Sequence, residues 1–237
     1  MIVVVGLSHH TAPIEVRERA ALTPEAQDRL VGDLVADPRV GEAFVVSTCN
    51  RVEVVAVGRE TSSDALGRCA LACSESILRV APDAVGHIYS RVGVDGVRHL
   101  IQVASSLDSL VVGEPQILGQ LKFGYERARE RGHAGPVLER AFNRAVRVAK
   151  RIRTETNIGA GQVSVPSIAV DLAVQIFGDL TKHSAVLVGT GEMGQTVARL
   201  VKDAGARLTV VGRSEEKTQA MASRLGATGR RIEDLAD

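Results

Sequence analysis

Ala43-Phe44-Val45-Val46-Ser47-Thr48-Cys49-Asn50-Arg51-Val52-Glu53-Val54-Val55-Ala56-Val57 consists of two apolar runs around a short polar break. Runs of this length, rich in valine and bounded by Ser, Thr and Asn, read as strands joined by a tight connection. Only Glu53 interrupts the second run. A cysteine at such a turn can be exposed, and Arg51 is close enough in sequence to favour the thiolate, the nucleophilic form. The competing reading is a small buried thiol that fills a strand end.

On the N-terminal side, residues 2–6 read as a buried strand, and the turn from Ser8 to Pro13 leads to a helix carrying Ile14, Val16 and Ala20. Thr23 followed by Pro24 predicts a helix start, an N-cap with proline at the first helical position, and the helix runs to about Ala36 before Asp37-Pro38. On the C-terminal side, Ser62 to Val80 is an amphipathic helix and His87 to Val92 a further strand. This mixture of strands and helices with hairpin-like joins predicts an α/β sandwich. Val94 to Leu107 reads as a helix with Val97, Leu100, Ile101 and Ala104 on one face, which leaves His99 near its edge. A loop from Asp108 to Pro115 precedes a helix beginning near Gln116 and ending at Gly132 to Gly135. The next helix starts at Pro136, and on it Arg140, Arg144, Arg147 and Arg151 share a face. That ridge suits a nucleic-acid backbone, or else is a solvated face paired with Glu139 or Glu155. Asn157 to Gln162 is a glycine-rich linker, and Pro166 sits in the first turn of a helix that reaches about Phe177.

From Ser184 the pattern changes to strand (Ala185 to Val188), glycine turn (Gly189-Thr190-Gly191-Glu192-Met193-Gly194), helix (Gln195 to Ala204) and strand (Arg207 to Val211). Alone, the glycine fingerprint is weak. Between a strand and a helix, however, backbone amides and the helix dipole can receive a pyrophosphate. The second strand ends in Gly212-Arg213-Ser214, where a binder of unphosphorylated dinucleotide usually presents an acid, so Arg213 and Ser214 favour a 2′-phosphate and hence NADPH. A surface arginine at a strand end is the alternative.

Composition bounds the remaining classes. With 45% hydrophobic and 24% charged residues and a net charge of +1, the chain is of globular type and has no global basic field. No apolar run reaches membrane-spanning length and Met1 to Gly6 lacks a basic leader pattern, so a cytoplasmic protein is expected. Three cysteines do not make a disulfide framework. Cys69 and Cys73, four apart on a helix, have no matching His or Cys pair, so no metal site is expected. An aromatic content of 3% without tryptophan argues against stacking platforms for bases.

Gly6-Leu7-Ser8-His9-His10-Thr11-Ala12-Pro13, Ser47 to Arg51, His99-Leu100, Ala104 through Gln120, Ala149 to Thr156, Gly159 to Val165 and Gly189 to Gly194 together resemble the glutamyl-tRNA reductases, in order and over nearly the whole chain. The resemblance implies a catalytic, glutamyl-tRNA-binding α/β sandwich with a helical linker over residues 1–156, and a Rossmann-type NADP-binding domain over residues 157–237, incomplete relative to a full doubly wound sheet. It implies reduction of glutamyl-tRNA to glutamate 1-semialdehyde, the first step of the five-carbon route to tetrapyrroles. Cys49 would be the nucleophile, forming a thioester that hydride from NADPH converts to a thiohemiacetal and then to the aldehyde. His99 would assist near the thiol by proton transfer or orientation, or else is a helix-edge histidine satisfied by a backbone carbonyl. Thr48, Asn50, Arg51, Ser109, Glu114, Pro115, Gln116 and Gln120 would form the substrate site, with Arg51 gripping the side-chain carboxylate and Glu114 reading the ammonium. Gly189 to Gly194, Arg213 and Ser214 would hold the cofactor. A homodimer of the longer parent and a glutamate-1-semialdehyde aminomutase are the implied protein partners. Two other functions remain open on the residues: a small-molecule NADP-dependent dehydrogenase, and a non-catalytic fragment that binds tRNA or a protein partner.

Overall fold

The structure is a computed structural model and describes residues 1–158 and 164–235; residues 159–162 of the expected glycine-rich linker lie outside the described residues. The chain divides into two compact units, Met1–Gly161 and Gln162–Asp237.

The first unit is built on a sheet in the order β2-β3-β1-β4, comprising β1 (Ile2–Ser8), β2 (Val40–Ser47), β3 (Arg51–Gly58) and β4 (Tyr89–Val92). All its pairings are antiparallel. Every residue of β1 and β3 is buried, which explains why both read as continuous apolar runs instead of alternating ones. Helices supply the cover: α1 (Ile14–Ala20), α2 (Pro24–Ala36), α3 (Ser63–Val80), α4 (Val94–Ala104), α5 (Gln116–Glu130) and α6 (Pro136–Glu155). Of these, α3 packs on β1 and β3, α2 and α5 pack on β2, and α4 packs on β1 and α6.

Local chemistry fixes the helix starts. The Thr23 side chain accepts from the Ala26 amide, with Pro24 at the first helical position, and the Ser62 hydroxyl accepts from the Ala65 amide. In the core, Tyr125 of α5 stacks on Phe142 of α6 at 3.9 Å between ring centroids, and Phe44 of β2 meets both edge-on. The thiols Cys69 and Cys73 of α3 lie in this core, fully buried.

One expected boundary moves. The helix predicted to reach Leu107 stops at Ala104, because Ser106 adopts a left-handed conformation (φ 58°) and its hydroxyl donates to the Glu114 carbonyl. That departure folds residues 105–115 back towards the cysteine turn.

The second unit contains α7 (Val165–Phe177), β5 (Ser184–Val188), α8 (Glu192–Asp203), β6 (Arg207–Gly212), α9 (Glu215–Leu225) and β7 (Thr228–Arg231). Its sheet, β5-β6-β7, is parallel throughout. Ser164 caps α7 with a reciprocal Ser164–Ser167 box, and Pro166 occupies the first turn as expected. Strand β5 forms one edge of the sheet and exposes Val186 and Val188. Among the described residues, no helix is long and apolar enough to cross a membrane.

Candidate functional site

The β2–β3 hairpin turns over Cys49 and Asn50, and bonds from several directions hold it. The Thr48 amide donates to the Arg51 carbonyl (2.8 Å), while Thr48 Oγ1 accepts from the Asn50 and Arg51 amides (3.1 Å each). The His9 amide donates to the Asn50 carbonyl (2.9 Å). From α1, Arg17 Nη1 donates to the Cys49 carbonyl (2.8 Å) and to Asn50 Oδ1 (2.9 Å). With the main chain pinned on both sides, the Cys49 side chain is left exposed, which decides against the strand-end filler.

A small cleft opens beside the thiol, lined by Thr48, Cys49, Asn50, Arg51, Ser109, Glu114, Gln116, Ile117 and Gln120. Burial pushes the Glu114 carboxyl above its ordinary value. The Glu114 carbonyl accepts from the Ser106 hydroxyl and from Arg153 of α6 (3.1 Å), neither of which lines the cleft. Pro115 is exposed at the start of α5 and does not line the cleft.

Behind the cleft lies a buried charged network. Arg51 is 1% exposed; its Nη1 donates to Glu53 Oε1 (2.8 Å) and its Nη2 to Asp108, both to the carbonyl and to Oδ2 (3.0 Å). Glu53 Oε1 also accepts from the Tyr89 hydroxyl and lies 2.8 Å from His99 Nε2. Burial would raise the Glu53 carboxyl, but the His99 bond and the Arg51 charge outweigh it and hold the group down at about 2. Burial beside Glu53 drives the Tyr89 hydroxyl upward. Gly6 pairs with Glu53 across the sheet, and a Cβ there would sit 2.2 Å from the Val52 carbonyl oxygen and 2.8 Å from the Glu53 side chain.

His99 therefore differs from the edge position its helix periodicity predicts. It is buried, its partner is a carboxylate and not a backbone carbonyl, and it does not line the cleft. β4 and the Glu53 side chain close over that part of α4. On the outer side, His10 Nε2 lies 3.3 Å from Asp108 Oδ1, and His9 packs on His10 at 3.9 Å. Burial, then the charges of His10 and Arg51, pull the His9 ring below its ordinary value.

Sequence reasoning misses Arg17, Tyr89, Asp108 and Arg153. Glu53 carries a readable signal, a lone acid in a strand otherwise apolar. The others have none, because their partners lie far along the chain.

In the second unit, Gly189 follows β5 with φ 109°, a conformation L side chains rarely adopt, and its amide donates to the Val211 carbonyl (2.8 Å). Gly191 is the N-cap of α8 and offers no capping side chain. A Cβ on Gly194 would lie 2.9 Å from the Gly189 carbonyl oxygen, so the helix start packs directly on the turn. Thr190 and Gly212 approach so closely that a Cβ on Gly212 would lie 3.3 Å from Thr190 Cγ2, which brings the ends of β5 and β6 together. Arg213 is exposed beyond β6 and makes no ion pair among the described residues; the Ser214 hydroxyl accepts from the Lys217 amide and caps α9. A bare helix start on a glycine turn, with a free guanidinium at the neighbouring strand end, fits a phosphorylated dinucleotide.

These features define a two-unit α/β protein, with a thiol-bearing antiparallel sheet first and a Rossmann-like region second. The family model "Glutamyl-tRNAGlu reductase, N-terminal domain" matches residues 5–156, and "Shikimate / quinate 5-dehydrogenase" matches residues 171–237. The chain belongs to the glutamyl-tRNA reductase family. It is 48% identical to the glutamyl-tRNA reductase of Sorangium cellulosum (strain So ce56), across 98% of this chain and 47% of that protein. It is 46% identical to glutamyl-tRNA reductase 2 of Anaeromyxobacter dehalogenans (strain 2CP-C), across 98% of this chain and 50% of that one. The solved structure of glutamyl-tRNA reductase from Methanopyrus kandleri superposes with a TM-score of 0.64 at 35% identity, covering 100% of this chain and 55% of that one. The chain thus spans about half the length of these relatives.

Proposed function

We propose that this chain carries the acyl-accepting and cofactor-binding parts of an NADPH-dependent reductase that converts glutamyl-tRNA to glutamate 1-semialdehyde. The observation that carries the reading is the exposed Cys49 thiol at a pinned turn, opening on a cleft with acidic, amide and hydroxyl groups.

In this reading the Cys49 thiolate attacks the carbonyl carbon of the aminoacyl ester. A C–S bond forms, the C–O bond to the terminal ribose breaks, and the released ribose oxygen takes up a proton, leaving a glutamyl thioester on the protein. The Thr48–Asn50–Arg51 turn fixes the sulfur, and Arg17 braces that turn from outside. The side-chain carboxylate of the glutamyl group would replace Asp108 as the partner of Arg51 Nη2, and Glu114 would face the ammonium. Ser109, Gln116 and Gln120 complete the polar wall, and Pro115 sets the start of α5. His99 is a positioning residue: it holds Glu53, which holds Arg51. Thr190, Gly191, Glu192, Met193 and the flanking Gly189 and Gly194 would hold the pyrophosphate, with Arg213 and Ser214 at the 2′-phosphate. When bound, NADPH supplies the hydride that takes the thioester to the aldehyde. The family also brings expectations of a homodimer in the longer protein, of an aminomutase that receives the aldehyde, and of a cytoplasmic setting.

The test is incubation with glutamyl-tRNA and NADPH, following release of uncharged tRNA and formation of the aldehyde. Cys49→Ser should abolish both. Aldehyde formation by that variant, or reduction of a free metabolite in place of the charged tRNA, would overturn the reading.

A further inference from the structure

Helix α6 carries a basic face that the acyl-transfer chemistry does not use. Residues 140–153 contain six basic residues and no acidic one, so the remainder of a chain with net charge +1 is net acidic. The inner face of the helix, Leu138, Phe142, Ala145 and Ala149, is buried in the core, while Arg140, Arg144, Arg147 and Lys150 are exposed. These four make no ion pair among the described residues. Some exposed arginines elsewhere in this unit are compensated, Arg19 by Asp83, Arg68 by Glu60 and Arg98 by Asp95, and Arg151 at the end of the predicted ridge pairs with Glu155, while others such as Arg29, Arg79 and Arg129 make no ion pair among the described residues. What sets α6 apart is the arrangement: four unpaired cations follow one another along one helix face with no acid between them.

We infer that this face of α6 seats the phosphodiester backbone of the RNA that carries the glutamyl group, an inference that rests on the acyl-transfer reading above. From Arg140 to Lys150 the helix rises about 15 Å. On the spacing of a DNA duplex, one phosphate per about 3.4 Å of axis on each strand, that length faces about four phosphates, and the more closely wound RNA duplex offers no fewer, enough for every unpaired cation. The exposed face between Arg140 and Lys150 presents no aliphatic or aromatic anchor, only Asn143 among the cations, and protein interfaces are centred on such anchors. Its position also fits. The same helix turns Arg153 inward to Ser106 Oγ (3.3 Å) and to the carbonyl of Glu114, whose side chain lines the cleft beside Cys49. An RNA whose acylated end enters that cleft would have its backbone beside the C-terminal turns of α6.

The experiment compares the full chain with its Arg140→Gln, Arg144→Gln, Arg147→Gln triple variant. Uncharged glutamate-specific tRNA is titrated across a series of salt concentrations, and the reaction of Cys49 with a small glutamyl thioester is measured in parallel. The expected result is an affinity lower by about 10- to 100-fold, and a slope of log affinity against log salt shallower by about two to three, since each phosphate left without its cation removes about 0.7 to 0.9 from the slope. The reaction with the thioester should be unchanged. Equal affinity and equal slope in parent and variant would overturn the inference and leave the acyl-transfer reading standing. Loss of binding to polyglutamate with RNA binding intact would also overturn it, and would assign the face to an acidic protein. A parent chain that binds no tRNA at any salt would overturn both.

Discussion

Replacing Glu53 by glutamine tests the buried network behind the thiol. The carboxylate receives Arg51 and Tyr89 and meets His99, all on one oxygen, so an amide of the same shape can keep an acceptor there but removes the negative charge that balances the buried Arg51. Two routes give the magnitude. Holding the carboxyl at about 2 instead of 4.5 corresponds to about 3 kcal/mol of folding free energy at neutral pH. Removing one partner of a buried ion pair costs about 3 to 5 kcal/mol. The sign is fixed by the direction of the shift: a depressed carboxyl contributes fully above 4.5, and the contribution drains away as pH falls towards 2. The gap between parent and Glu53→Gln should therefore be about 3 kcal/mol or more at pH 7 and should narrow steadily once pH drops below that ordinary value. Urea unfolding followed by tyrosine fluorescence suits the measurement, because Tyr89 and Tyr125 are the only tyrosines, tryptophan is absent, and both tyrosines belong to the first unit. A gap under about 1 kcal/mol at pH 7, or one that stays constant into acid, would refute the view that this network holds Arg51 in place.

Three further outcomes are expected. A thiol reagent should modify one cysteine in the native chain and three after denaturation, since Cys49 is exposed while Cys69 and Cys73 are buried; mass spectrometry counts the adducts. Gly6→Ala should destabilise the first unit by about 3 kcal/mol or more, read as a lower urea midpoint, because its Cβ would lie 2.2 Å from the Val52 carbonyl oxygen and rigid backbone must move. Arg213→Ala should weaken NADPH binding by about tenfold and leave NADH binding nearly unchanged, as fluorescence titration of the two nucleotides would read.

Much of the fold was legible because its determinants are local. The Thr23-Pro24 start of α2, the hairpin around Cys49, and the strand–glycine turn–helix order at β5 and α8 each depend on residues within a few positions of one another. The end of α4 was not legible, because a left-handed Ser106 held by the Glu114 carbonyl depends on a bond across eight residues. At the candidate site, the turn itself could be read, and the inclusion of Ser109, Glu114, Gln116 and Gln120 came from resemblance, since no spacing ties residues 48–51 to residues 109–120. Nothing in the sequence announces that Arg17 braces Cys49 from 32 residues away. Periodicity placed His99 at a helix edge, whereas the Glu53 side chain reaching from β3 makes that edge an interior. A charged residue inside an apolar strand is the sign that such a partner must exist, though not of which it is.

The central claim concerns one sulfur, and the direct measurement withholds the reductant. The chain is incubated with glutamyl-tRNA without NADPH, and its mass and peptide map are recorded before and after treatment with hydroxylamine. The account predicts a single glutamyl adduct on the peptide containing Cys49, removed by hydroxylamine and missing from Cys49→Ser. A glutamyl group carried on any other residue, or the same adduct formed by the serine variant, would contradict it.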